Sequence, residues 1–259
     1  MGTVSKALSL LTNFNQSRTE IGLSEIARLA GVNKATAYRL LTELQASGFV
    51  EQIGSDKTYR LGPEILRLAR LREAAVPMAT ASRTILDRLA ARTHETAHVS
   101  VLRGTHLNAL AHAYSPRHAT RVMMDDAETL SLHGTGSGLA VLAFSPDEFV
   151  DRVLSAPLTR HTPETVTDPA ALRALLEPIR DTGIAESVGG FEADVHSHAS
   201  PVFDSDGNPI GALAVAAPVA RITPDRAAII RNSVLAGAIE LTRAIGGFVP
   251  NAFPRTDAA

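Results

Sequence analysis

Residues 23–62, LSEIARLAGVNKATAYRLLTELQASGFVEQIGSDKTYRLG, constrain the fold more than any other stretch of this chain. Ser24 stands where it can cap a short helix with apolar residues Ile26, Leu29 and Ala30, and Gly31 offers the positive φ that ends it. Asn33 is placed to cap a second helix. In it Ala37, Leu40, Leu41 and Leu44 recur at the spacing of one buried face, and Gly48 closes the run. Two strand-like runs follow, Phe49–Ile53 and Thr58–Leu61, around the turn Gly54-Ser55-Asp56. Two helices about a tight glycine turn, then a small hairpin, make a winged helix-turn-helix, a unit that lays its second helix in the DNA major groove.

The polar face of that second helix carries Lys34, Ala35, Thr36, Tyr38, Arg39 and Thr42. Thr36 and Tyr38 can donate to phosphates, and Arg39 can read a guanine edge or clamp a phosphate. Ala35 is small enough for the helix start to approach a base. Lys57, Tyr59 and Arg60 on the wing fall at the next stretch of backbone. With the helix-start residues Ser24 and Asn33 these are the candidate contacts to a double-stranded operator. A solvated amphipathic helix, or a winged helix that binds protein, explains the helix pattern but not the cations on helix and wing.

Charge is distributed to match. All three lysines (Lys6, Lys34, Lys57) lie in the first 57 residues. Residues 1–62 hold seven Lys/Arg against five Asp/Glu, a formal +2, so with a net charge of −2 the remainder carries −4. A basic head on an acidic body suits a protein that meets DNA with one end. The chain has no cysteine, which excludes disulfides, thiol nucleophiles and cysteine-ligated metals. There is no leader-like start and no apolar run long enough to span a bilayer, so no membrane partner is expected and a cytoplasmic location follows by elimination.

The 259 residues divide into a winged helix-turn-helix domain at 1–62, a linker helix at 63–77, a body at 78–247 and a loose tail at 248–259. Val4–Phe14 forms a further helix of the head, with Val4, Ala7, Leu8 and Leu11 on one face. In the body, Thr96–Arg103 and Leu107–Tyr114 read as strands, Thr120–Met124 as a possible third, and Ala199–Phe203 and Ile210–Ala216 as a hairpin around Asp204–Asn208. Helices are expected at Gly138–Phe144, after Asp168 up to Gly183, and from Thr223-Pro224 onward. An antiparallel sheet with helices on its faces is an α+β architecture.

These pieces, in this order, resemble the IclR family of bacterial transcription regulators. The resemblance runs from about Val4 to Gly247, through the helix-turn-helix and wing and through ETAHVSVLRG, LHGTGSGLAVLA, RHTPETVTDPAALRALLEPIRDTGIA and ASPVFDSDGNPIGALAVAAP. It implies a GAF-like effector domain that binds a small organic acid, and a homodimer or dimer of dimers. Carried over residue by residue, the effector site falls on Val122, Gly136, Ser137, Ser187, Val195, Ser197, Ala214 and Ala216. The glycine-flanked helix start at Gly136-Ser137 has the free N–H groups an anion needs, while tight helix–sheet packing is the competing explanation of its glycines. The family often has an Arg-Cys pair where this chain has His196-Ser197, an acidic residue at Ser187, and serines at Ala214 and Ala216. The resemblance therefore implies a less polar pocket and a bulkier or more apolar effector than a small keto acid.

His196 and His198, two apart on one strand face, could join His98 or His112 in a three-nitrogen metal site. Nine histidines spread through the chain favour the plainer reading, so no metal and no cofactor is expected. If Val195 and Ser197 face the pocket, the two histidines face away from it. Gly134-Thr135-Gly136-Ser137-Gly138 lacks the Lys-Ser/Thr of a phosphate loop and is not a G-x-S-x-G nucleophile turn. No Ser/His/Asp arrangement is legible, and no catalysis is expected. The alternative is a metal-dependent or hydrolytic enzyme fused to a DNA-binding head.

Overall fold

The computed structural model describes residues 2–15, 18–75, 77–124 and 129–254. Backbone contacts divide the chain into two units, Met1–Val76 and Pro77–Ala259.

The first unit contains α1 (Thr3–Leu11), α2 (Leu23–Leu29), α3 (Lys34–Ala46), the hairpin β1 (Val50–Ile53) and β2 (Thr58–Leu61), and α4 (Pro63–Ala75). Its core is Leu10, Ile21, Ile26, Ala27, Ala37, Leu40, Leu41, Val50 and Tyr59. Asn33 caps α3, its Oδ1 accepting from Thr36 N–H at 2.8 Å. Gly31 (φ 65°) turns the chain between α2 and α3. Gly62 permits a close crossing, since a Cβ there would lie 2.2 Å from the Gly48 carbonyl oxygen.

Three expectations for this unit are corrected. Ser24 does not cap α2: Gly22 holds the N-cap position without a side-chain bond, and Ser24 sits exposed in the first turn. Helix α1 ends at Leu11 and buries Leu10, leaving Val4 and Leu8 exposed, because Leu10 is the residue that meets the α2–α3 core. Tyr59 is not on the DNA side of the wing. Period-two alternation along β2 turns it inward while Thr58 and Arg60 point out. Ile21 and Tyr59 exchange backbone hydrogen bonds at 2.9 Å, and only 2 % of Tyr59 is exposed.

The second unit runs α5 (Met78–Thr93), β3 (Thr96–Arg103), β4 (His106–Ala113), β5 (Thr129–Leu130), α6 (Gly136–Phe144), α7 (Asp147–Leu154), α8 (Pro169–Thr182), β6 (Ala185–Val188), β7 (Val195–Phe203), β8 (Pro209–Pro218) and α9 (Pro224–Ala244). The strands form one antiparallel sheet in the order β5-β4-β3-β8-β7-β6. Alternating residues feed two cores. Ala199, Ala212 and Ala214 pack with α6, α7 and α8 through Leu139, Leu142, Val150, Leu172 and Leu176. Ala97, Val99, Leu213 and Val215 pack with α5 and α9 through Ile85, Leu89, Ile230, Val234 and Leu241. Asp168 caps α8 by accepting from Ala171 N–H at 2.8 Å, and Gly183 (φ 70°) closes it.

Helix α6 starts two residues earlier than the periodicity indicates, since its glycines hide the helical pattern, and α7 and β6 carry no clear sequence signal. The stretch Thr120–Met124 is irregular rather than a strand, because β5 takes the edge of β4 instead. Side chains hold it: Thr96 Oγ1 donates to the Val122 carbonyl (2.7 Å), Met124 N–H donates to Tyr114 Oη (3.0 Å), and Arg221 donates to the Thr120 carbonyl (3.0 Å). Arg221 in turn pairs with the fully buried carboxylate of Glu95 at 2.6 Å, and Arg226 joins it at 3.0 Å. The tail is not loose over its described part. Phe253 is 2 % exposed and packs edge-on against Phe203, with Phe144 beside it. Residues 255–259 of the expected tail lie outside the described residues.

Candidate functional site

On the head, α3 buries its leucines and turns Lys34, Ala35, Tyr38, Arg39 and Thr42 to solvent, with Thr36 half-buried. Tyr38 is 57 % exposed, a large aromatic left open beside two cations. Two of these groups are partly engaged. Asn33 is occupied with its cap, and Thr42 Oγ1 donates to the Tyr38 carbonyl at 2.9 Å. At the wing tip Lys57 is exposed and takes a positive φ of 53°. Arg60 is exposed but paired with Glu51 across the hairpin at 2.5 Å, a carboxylate with which a phosphate contact would compete. The surface left for nucleic acid is one cationic, aromatic helix face with a lysine at the wing.

In the body, a cleft of about 480 Å³ including its mouth opens on the α6 side of the sheet. Strand residues His98, Ser187, Val195, Ser197 and Ala216 line one wall; Val122, Met123, Met124 and Leu130 line another. Thr135, Ser137 and Phe191 close it, with Glu192 exposed at the rim. This mix, mostly apolar with a few convergent polar groups, is that of a small-molecule site. His98 is 4 % exposed, its Nε2 lies 3.4 Å from Ser137 Oγ, and its Nδ1 has no partner. Burial, with a smaller contribution from His112, pushes its pKa down to about 4, so it is a neutral imidazole at pH 7.

The helix start beside the cleft is more fully used than the glycine run suggests. Thr135 caps α6 by accepting from Gly138 N–H at 3.0 Å. Gly136 N–H donates to Ser197 Oγ at 3.2 Å, and Gly136 lies against β7 outside the cleft lining. Ser187 Oγ donates to the Gly134 carbonyl at 2.8 Å. Ser137 N–H, at the second position of the helix, has no intrahelical acceptor by geometry. The glycines serve close packing: a Cβ on Gly138 would lie 2.4 Å from Leu132 Cα, and one on Gly136 would lie 2.8 Å from Ser197 Oγ. Ala214 also leaves the expected set, being wholly buried beneath α6. The structure therefore brings Val122, Ser137, Ser187, Val195, Ser197 and Ala216 together, and not Gly136 or Ala214. His98, Phe191 and Met124 were missed. A polar residue between buried Ala97 and Val99 was the legible signal for His98, and loop residues carried none.

The histidines fall otherwise than expected. His98 faces α6, whereas His196 and His198 lie on the α9 side of the sheet, so the three cannot share a ligand. His112 on β4 lies beside Tyr114, with ring centroids 4.7 Å apart and planes tilted by 48°. The residue that stands beside His196 and His198 is Glu186.

Comparison with known proteins identifies the architecture. A family model for the bacterial transcriptional regulator IclR C-terminal domain matches residues 74–243, and one for the IclR helix-turn-helix domain matches residues 3–54. The glycerol operon regulatory protein of Streptomyces griseus is 32 % identical over 225 residues, 87 % of this chain and 88 % of that protein. The transcriptional repressor IclR of Escherichia coli K12 is 27 % identical, over 95 % of this chain and 90 % of the repressor. A crystal structure of an IclR-type regulator from Silicibacter sp. TM1040 is 59 % identical, covers 98 % of this chain and 100 % of its own, and superposes with a TM-score of 0.93. An IclR homologue from Microbacterium hydrocarbonoxydans, crystallised with 4-hydroxybenzoate, is 27 % identical over 95 % of this chain and 99 % of its own, with a TM-score of 0.56. Among the described residues no helix is long and apolar enough to cross a membrane. Head, body and cleft together belong to an IclR-family transcription regulator, a DNA-binding protein with a C-terminal effector domain.

Proposed function

We propose that α3 enters the major groove of an inverted-repeat operator, that two heads pair as a homodimer and the bodies join two dimers, and that the cleft takes a carboxylic acid with an apolar or aromatic body. The lining carries the effector reading. Val122, Met123, Met124, Leu130, Phe191, Val195 and Ala216 offer apolar surface, and Ser137, Ser197 and His98 offer a few polar contacts. The 4-hydroxybenzoate in the Microbacterium relative supports an aromatic acid here. Exposed Val4 and Leu8 on α1, and Leu66, Leu68 and Leu71 on α4, support a shared apolar face between heads.

Calorimetry with a panel of benzoates and keto acids tests the effector class. Ala216→Leu should weaken the best aromatic acid at least tenfold and leave the fold intact, because the added methyls occupy the cleft floor. Unchanged binding would move the ligand elsewhere. Operator binding by fluorescence anisotropy tests the head. Arg39→Ala should cost about 1–3 kcal/mol, with relaxed specificity if it reads a base. Lys57→Ala should weaken specific and random duplexes alike and lower the salt slope by about one. Wild-type affinity in both variants, or a monomeric mass with and without DNA, would overturn the docking and pairing.

A further inference from the structure

We propose that Glu186, His196 and His198 form a binding site for a divalent metal of the zinc class, on the face of the sheet opposite the effector cleft. Strand register builds it. Glu186 pairs with His198 across β6–β7, and His196 lies two residues from His198 on the same face. Glu186 Oε2 stands 3.1 Å from His196 Nε2 and 3.3 Å from His198 Nε2. One ligand atom from each of the three residues lies within 4.8 Å of the others. Ligands held at about 2.0–2.2 Å around a tetrahedral zinc are roughly 3.3 Å apart, so both carboxylate–imidazole spacings already fit. The imidazoles stack with centroids 4.3 Å apart and planes 21° from parallel, so both rings must turn toward each other before their in-plane lone pairs meet at one ion.

Two further observations point to an occupant. His198 is wholly buried; its Nδ1 has no hydrogen-bond partner, and its Nε2 faces Glu186 Oε2 at 3.3 Å without making a well-formed hydrogen bond. A buried imidazole so poorly satisfied is costly, and a metal on Nε2 gives that nitrogen a full partner. Arg231 on α9 donates to the other carboxylate oxygen, Oε1, at 2.6 Å. That bond orients Oε2 toward the imidazoles, as outer-shell partners of ligating carboxylates do. Glu186 is a third exposed, which leaves an access path and a fourth position open to solvent. Two imidazoles and one carboxylate are a zinc-class ligand set. The occupied site would clamp the four-residue edge strand β6 to β7.

The competing account is a plain ion-pair cluster in which the Arg231 cation repels a dication. Titration of untagged, full-length, metal-stripped protein with zinc chloride separates the two. The site predicts one zinc per chain, a thermal midpoint raised by zinc and returned by EDTA, and the visible absorption of four-coordinate cobalt when cobalt chloride is used. His196→Ala and the isosteric Glu186→Gln should each weaken zinc by about tenfold or more and abolish the thermal shift. If His196→Ala fails to fold, Glu186→Gln decides the matter alone. No zinc uptake by the wild-type chain, or uptake unchanged in Glu186→Gln, overturns the proposal.

Discussion

Gly138 offers the sharpest test of how the cleft is built. A Cβ at that position would meet Leu132 Cα and carbonyl oxygen at 2.4 Å and its carbonyl carbon at 2.6 Å. All three are backbone atoms, so no side chain can rotate aside, and Leu132 is itself 2 % exposed. In Gly138→Ala the start of α6 or the Leu132 backbone must retreat by about 1 Å, an overpacking cost of about 3 kcal/mol. Alanine recovers up to about 1 kcal/mol of helix propensity, leaving a net loss of about 2 kcal/mol. For a unit of this size that lowers the melting temperature by about 4–8 °C. Gly136→Ala is the control. Its nearest obstacle is the Ser197 hydroxyl at 2.8 Å, which can turn away at the loss of one hydrogen bond, and the Ser197 carbonyl oxygen at 3.2 Å has to give by only a few tenths of an ångström. That loss is about 1 kcal/mol and is offset by propensity, so its midpoint should stay within about 2 °C of wild type. Differential scanning calorimetry on the full chain reads both. If Gly138→Ala melts with the wild type, or Gly136→Ala melts lower than Gly138→Ala, the close α6–Leu132 packing is wrong.

Other consequences are open to simple assays. Tyr59→Phe should keep both fold and operator affinity, whereas Tyr59→Ala should cost the head about 3–5 kcal/mol in circular-dichroism melts; a Phe variant that folds but binds DNA tenfold more weakly would put Tyr59 at the interface after all. Glu95→Gln should destabilise the body by about 3 kcal/mol in urea, since Arg221 and Arg226 lose their buried partner; a loss below 1 kcal/mol would show the pair to be dispensable. His98 has a folded pKa of about 4, below the ordinary value of 6.5, so the unfolded chain binds the extra proton first. Its contribution is complete above pH 6.5 and is lost as pH falls toward 4, by up to about 3 kcal/mol. His98→Gln should flatten that part of the stability profile by about one proton, and an unchanged slope would mean that the imidazole is hydrated.

The head was almost wholly legible from its residues because its signals are local: a cap at Asn33, positive-φ glycines at Gly31 and Gly48, and a 3.6-residue leucine period. What failed there was the inside–outside assignment in elements too short for periodicity to decide. Tyr59 on a four-residue strand and Leu10 on a nine-residue helix are the cases. In the body, the long helices after Asp168 and Thr223 announced themselves, and so did the hairpin at Asp204–Asn208. The cleft was half legible. Period-two alternation on β7 put Val195 and Ser197 on one face and the histidines on the other. Its second wall, Val122–Met124, is irregular chain held by Thr96, Tyr114 and Arg221 from far along the sequence, and local pattern cannot announce such bonds. Glu186 escaped notice as the neighbour of the histidines for the same reason: strand pairing, not sequence distance, brings it there.

The two walls of the cleft differ in how they can change over evolutionary time. On β7 every residue is committed to a face, so deleting or inserting one residue next to Ser197 would present His196 or His198 to the ligand and turn Ser197 toward α9. That wall can be altered by substitution but not by length. The Val122–Met124 wall has no ladder to keep in step, and its length can drift as long as a carbonyl still reaches Thr96 Oγ1. Relatives that have diverged toward larger or smaller acids should therefore differ in length around residues 120–130 and in side-chain size, but not length, along the sheet.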